Sequence, residues 1–289
     1  MSFQSLNEIR QICETQNKAF WEVILGEDCN ERSVTPEESF NRMKKLYLSM
    51  KQADHSYIPN LRSASGLVGG DGAKLEDALN KERLLSGPFL AEVMIKALKM
   101  GEANACMKKI VAAPTAGSCG VIPAVLLTYE EQYPMNLDRM LEAMYVAAGI
   151  GNVIANRAFI SGAAGGCQAE IGTASAMAAG ALCYLNRGNT EDILHAAAIA
   201  LKNLLGLVCD PVAGLVEVPC VKRNVAGAVN AVSCADMAIA GIKSAIPPDE
   251  VIDAMREIGE AMPKAFRETG EGGLARTATA QAITLDIMK

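Results

Sequence analysis

Cys167 stands directly behind two glycines in "GGCQAE" (165–170), while Cys209 and Cys220 bracket the proline-punctuated run "CDPVAGLVEVPC" (209–220). Thiols in loops and at helix starts differ from ordinary core cysteines, because a helix start favours the thiolate, which is the form that binds metals. Three such thiols could hold three irons of a four-iron, four-sulfur cluster and leave the fourth iron open. A zinc site would more often show Cys-x-x-Cys pairs or histidine ligands, and the chain has neither pairing and only two histidines. No short multi-cysteine motif is present, so spacing alone also admits the reading that each thiol is a small buried residue.

Four loops combine glycine with hydroxyl or charged residues: "SASGLVGGDGAKL" (63–75), "APTAGSCG" (113–120), "ISGAAGGCQAE" (160–170) and "CDPVAGLVEVPCVKRN" (209–224). Each leads into an apolar helix, whose unpaired N–H groups suit an anion such as a carboxylate. None matches the phosphate loop of nucleotide hydrolases or the dinucleotide fingerprint. Four in one chain suggest a shared pocket.

The elements that must position these loops read as helices. The first sixty residues resolve into two amphipathic helices, with Ile9, Cys13, Phe20 and Val23 on the apolar face of one and Phe40, Met43, Tyr47 and Met50 on that of the other. The second opens on a capping box of Thr35 and Glu38 with Pro36 at its first position. From residue 61, helices are expected at 75–85, 88–99, 103–112, 120–131, 137–151, 168–186, 191–206, 225–243, 249–261 and 274–288, and only "LVEV" (215–218) alternates like a strand. The fold class is therefore all-α: a helical N-terminal arm (1–60) and a helical catalytic domain (61–289).

Composition narrows the ligands. Of the 289 residues, 50% are hydrophobic but only 4% aromatic, which favours close-packed helices rich in small side chains. A net charge of −6 without basic runs excludes an evident nucleic-acid platform. The longest apolar stretch, Ile171 to Leu185, falls short of the roughly 20 residues that cross a bilayer, so no membrane role is expected. Nine cysteines without an export signal argue for reduced thiols and a cytoplasmic location.

"GGCQAEIGTASAMAAGAL", "LKNLLGLVCDPVAGLVEVPCVKRNVAGAVNA", "GLVGGDGAKL" and "ETGEGGLA" together resemble the alpha subunit of the bacterial two-subunit, iron-sulfur-dependent L-serine dehydratases. The likeness runs over essentially the whole chain and is most specific at 201–224. It implies a 4Fe-4S cluster held by Cys167, Cys209 and Cys220, L-serine as substrate, a separate ACT-type beta subunit and an oligomeric enzyme. Cys119 is then a pocket or packing residue, and Cys13, Cys29, Cys106, Cys183 and Cys234 belong to the core. Relatives commonly read Asn-Ala-Ser-Ile-Ser-Gly where this chain reads Arg157 to Gly162, so Arg157 and Phe159 mark where its own substrate preference could be written.

Dehydrating serine means removing the α-proton and expelling hydroxide, a poor leaving group that an open iron could bind as a Lewis acid. A base and a partner for the carboxylate are also needed. Candidate catalytic residues are Ser63, Ser65, Lys74 and Ser161; candidate substrate-binding residues are Gly69, Gly70, Asp71, Thr115, Ala116, Gly117, Ser118, Gly162 and Lys222, with Arg223 beside them. His195 reads as a packing or surface residue of a regular helix; His55, before the first glycine loop, is more open, and the beta subunit could supply the base. Pyridoxal chemistry would leave the three loop thiols unexplained. The competing readings are a related lyase, such as a cysteine desulfidase, a non-catalytic iron-sulfur or assembly subunit, and a metal-free helical binding protein.

Overall fold

The amino end forms three helices, α1 (Leu6–Gln16), α2 (Phe20–Arg32) and α3 (Pro36–His55), rather than the expected two. The break escapes periodicity because Ile9, Cys13, Phe20 and Val23 stay in phase across it, while Asn17, in the left-handed region at φ 50, ends α1. At α3 the capping box is present: Glu38 N–H donates to the Thr35 hydroxyl at 3.2 Å, and Thr35 N–H to the Glu38 carboxylate at 2.8 Å.

The computed structural model describes residues 3–288. Beyond α3 the chain forms α4 (Asp71–Asn80), α5 (Pro88–Ala105), α6 (Val121–Gln132), α7 (Leu137–Arg157), the single turn α8 (Gly162–Gly165), α9 (Thr173–Leu185), α10 (Thr190–Lys202), α11 (Cys220–Ile239), α12 (Pro248–Ala261) and α13 (Ala278–Ile287). Among the described residues no strand forms; "LVEV" is irregular, and the nearest thing to a sheet is an isolated bridge between Cys209 and Arg267. The helix expected at 103–112 is instead the end of α5 followed by a loop. A π-turn (Gln168–Gly172) precedes α9, and α11 starts five residues before the expected 225, which makes Cys220 its first residue.

At the centre lies α9, every residue of which is buried. A helix apolar on all sides must be enclosed, and α6, α7, α10 and α11 enclose it. Small residues set how near they come. A methyl group at Gly180 would overlap the Ile150 side chain of α7, and one at Gly227 of α11 would lie 2.7 Å from Ile171. The amino-terminal helices join the same core, with Ile24 of α2 filling the space a side chain at Gly149 would need. No helix of the described residues is long and apolar enough to cross a membrane.

The first glycine loop is anchored from within. Asp71 N–H at the start of α4 donates to the Glu102 carboxylate at 2.6 Å, Gly72 N–H donates at 3.4 Å, and the Tyr57 hydroxyl donates at 2.6 Å. Glu102 is 2% exposed, so its charge depends on these donors and on the helix start. Glu102→Ala should strand them and lower stability by about 2–3 kcal/mol, whereas Glu102→Gln, which keeps an acceptor, should lose less. Urea denaturation of the two variants beside wild type measures the difference.

Candidate functional site

Cys167, Cys209 and Cys220 are 2%, 3% and 7% exposed and all free of disulfides. The turn that presents Cys167 requires close backbone approach. Gly166 has φ 77, and a methyl there would lie 2.8 Å from both the Leu207 carbonyl oxygen and the Met262 sulfur. A methyl on Gly165 would overlap the Phe159 ring, which also fills the space beside Gly259 of α12. Gln168 fastens the next residue, donating to the Met255 carbonyl at 3.1 Å and accepting from Gly206 N–H at 2.9 Å. Cys209 is held by backbone pairing with a distant segment: its N–H donates to Phe266 O, and Glu268 N–H donates to its carbonyl, both at 2.8 Å.

These elements bring the Cys167 and Cys209 sulfurs and a Glu170 carboxylate oxygen within 4.8 Å of one another. Cys220 lies outside that span but within the electrostatic reach of Cys167 and Glu170, both of which disfavour its thiolate. Arg223, on the first turn of α11, donates to Cys167 Sγ at 3.4 Å, the Val208 carbonyl at 2.8 Å and Asp210 Oδ1 at 2.9 Å. Asp210 Oδ2 accepts from Leu274 N–H at 2.8 Å, which ties "ETGEGGLA" over the site.

The hydrogen bond from Cys209 and the charge of Arg223 hold the Cys167 thiol below its usual range despite burial. The same bond, with burial, drives the Cys209 thiol well up. Burial pushes Cys220 up to about 12, so its place at a helix start does not make it a thiolate; desolvation outweighs the dipole there. Burial also raises Glu170, against the donated hydrogen bond of Thr115 and with the charge of Glu268 adding to the rise.

The loops divide. The second and third meet the cysteines: Thr115 Oγ1 donates to Glu170 Oε1 at 2.7 Å, and methyls at Gly117 and Gly162 would lie 3.0 Å from Oε1 and 2.9 Å from Oε2. A methyl at Gly162 would also lie 2.9 Å from Cys209 Sγ and 3.1 Å from Glu268 Oε2, so its absence lets the three groups close on the bare backbone. Ala116 and Ser118 build the 3-10 turn behind Thr115, with the Ala116 carbonyl accepting from Asn104 at 3.1 Å and Ser118 fully buried. Exposed Ser161 accepts, through its carbonyl, the N–H groups of Ala164 and Gly165.

The first loop takes a different position. Ser63 and Ser65 donate to Glu217 Oε2 at 2.8 and 2.5 Å, fastening the loop to the residues just ahead of Cys220. Gly69 and Gly70 carry φ 133 and 76, and the helix start they lead into is the one that holds Glu102. Lys74 and Lys222, 72% and 66% exposed, both pair with Asp71 at the surface, at 2.8 and 2.9 Å. Ser244 N–H donates to His195 Nδ1 at 3.3 Å, and His55 is exposed at the end of α3. Arg157 donates to both Asp253 oxygens, at 2.8 and 2.6 Å; with Phe159 it clamps α12. Cys119 is packed and pushed up to about 12 by burial, while Cys29 and Cys106, expected in the core, are half-buried.

Glu170, Glu268 and Glu217 are the site carboxylates that residue types did not single out. Glu170 sits three residues after Cys167 inside the first motif, one helical turn on, which is the spacing that returns a side chain to the same face.

The family model for the serine dehydratase alpha chain matches residues 15–275. The chain is 46% identical over 281 residues to a Bacillus subtilis protein named a probable L-serine dehydratase alpha chain, covering 97% of this chain and 94% of that one. It is 42% identical to the L-serine dehydratase alpha chain of Peptoniphilus asaccharolyticus, over 98% and 97% of the two chains. With an L-serine dehydratase of Helicobacter pylori it shares 35% identity over 95% of its own length and 62% of that longer protein.

The clamp on Cys167 can be tested without substrate. Gly165→Ala should displace the Phe159 ring, cost about 1–3 kcal/mol and quicken the reaction of the metal-free chain with a thiol reagent. Combining it with Phe159→Leu should recover part of the loss, a non-additivity that denaturation of the single and double variants reads directly. Additive losses would mean that the ring does not press on the turn.

Proposed function

Because the chain belongs to the serine dehydratase alpha chain family, we propose that it is the catalytic chain of an iron-sulfur L-serine dehydratase. L-serine loses its α-proton and β-hydroxyl, and the resulting aminoacrylate tautomerises and hydrolyses to pyruvate and ammonia. The observation that carries this reading is the meeting of Cys167 and Cys209 with Glu170 beside Gly162, with Cys220 in electrostatic reach.

The donor set suits a 4Fe-4S cluster. Three unbridged thiols are buried, two of them beside Glu170, and thiolate sulfur is the ligand such clusters take. Two of the three resist ionisation in the bare chain, which is the condition that a bound cationic group reverses, since ligation displaces the thiol proton. Cys167, Cys209 and Cys220 would hold the cluster, which when bound supplies a Lewis-acidic iron with no protein ligand for the β-hydroxyl.

The chain's own residues do the rest. Gly117 and Gly162 let the Glu170 carboxylate come close to the backbone of their loops. Thr115 fixes that carboxylate by its Oε1. Arg223 holds Asp210, and Asp210 holds the 268–275 segment beside the site. Ser63 and Ser65 act through Glu217, steadying the residues before Cys220. Lys74 and Lys222 neutralise Asp71 at the surface, so the α-proton acceptor is to be sought beside the cysteines or on the partner chain. An alpha chain works with a separate beta subunit, proposed to be of the ACT type, and longer single-chain relatives exist. Nine free cysteines suit a reducing cytoplasm.

Anaerobic preparation with and without a beta subunit, followed by iron and sulfide analysis and pyruvate assay, tests the reading. Iron and sulfide in equal amounts are expected, with pyruvate from L-serine in preference to L-threonine and L-cysteine. Cys167→Ala, Cys209→Ala and Cys220→Ala should each lose both metal and activity. A strictly anaerobic wild type without iron, matched by an unchanged Cys167→Ala, would remove the cluster from the account.

A further inference from the structure

Glu170 is the carboxylate that lies among the thiols of the site. Its Oε1 accepts from Thr115, while its Oε2 accepts no hydrogen bond from the described residues. Oε2 lies against the bare backbone of Gly162, where Cys209 Sγ and Glu268 Oε2 also converge. The cation nearest the thiols, Arg223, is directed to Asp210, the Val208 carbonyl and Cys167. Among the described residues no lysine, arginine or histidine pairs with Glu170. A partly buried carboxylate fixed at one oxygen and without a hydrogen bond at the other is suited to a cationic ligand.

We infer that Glu170 binds the α-ammonium group of the substrate and so makes the site selective for α-amino acids over 2-hydroxy acids. The inference rests on the dehydratase reading, whose substrate brings one ammonium group to this site. Glu268, which is exposed, draws the same group inward, and Thr115 is a positioning residue that orients the Glu170 carboxylate.

The test compares L-alanine and L-lactate, which differ at the α-substituent and have no β-hydroxyl to eliminate. Anaerobic calorimetry on the holoenzyme with its beta subunit should show wild type preferring L-alanine. Glu170→Gln should weaken L-alanine about tenfold to a hundredfold, leave L-lactate unchanged, and raise KM for L-serine more than it lowers kcat, with iron and sulfide content intact. Thr115→Val should shift the alanine-to-lactate ratio in the same direction by less, and keeps the inference testable if Glu170→Gln does not fold. Equal weakening of both ligands, an unchanged ratio, or loss of iron from Glu170→Gln would overturn it, the last by making Glu170 a metal ligand. A wild type that prefers L-alanine through Glu170 yet releases no pyruvate from L-serine supports the ammonium site and removes the dehydratase reading. Pyruvate release with an unchanged ratio does the reverse.

Discussion

The site depends on how closely the backbone at Gly165 and Gly166 can be approached. Phe159, Met262 and the Leu207 carbonyl occupy volume that side chains at these two positions would claim, and a methyl on Gly259 would in turn lie 3.0 Å from Gly165 Cα. Because close-packed interiors transmit such displacements, the place of Cys167 is tied to α12 and to the segment before Cys209. Gln168 repeats the linkage with hydrogen bonds to both. Arg157 and Phe159, expected to mark a substrate preference, pack in this clamp.

Charge explains the second half of the design. Glu170 and Glu268 stand with the thiols of Cys167 and Cys209, and the neighbouring cation, Arg223, already faces Asp210. The Cys167–Cys209 hydrogen bond and burial favour the protonated form of Cys209, and burial those of Cys220 and Glu170. A positive ligand would favour the charged forms. Elsewhere the chain meets the same problem internally: Glu102 is satisfied by the start of α4 and Glu217 by two serine hydroxyls.

Local pattern made the helical class legible, and the unbroken small-residue run of α9 announced its burial. Pattern failed where two readings share a phase, as across Asn17, and where a partner lies far along the chain. The glycine loop at 63–75 has the look of an anion site and is one, but its anion is Glu102, thirty-one residues later. Loop setting and family resemblance both pointed to the three cysteines, of which Cys167 and Cys209 meet beside Glu170. Glu170 was in view in "GGCQAE", yet a carboxylate three residues after a cysteine has no signature until the Thr115 and Gly162 loops are brought beside it. Glu268 needed the backbone pairing of Cys209 with residues 266–268, a contact no periodicity encodes.

The proposed ligand set is discontinuous. Cys167 follows α8, Cys209 pairs with the 266–268 segment, and Cys220 begins α11, so no short stretch of unfolded chain could gather them. The apolar core around α9, by contrast, is closed by hydrocarbon packing alone. On the proposed reading the polypeptide would complete its architecture first and receive iron and sulfide afterwards, and loss of the inorganic part to air would leave an intact receptacle, ready for repair in place rather than for replacement by new synthesis.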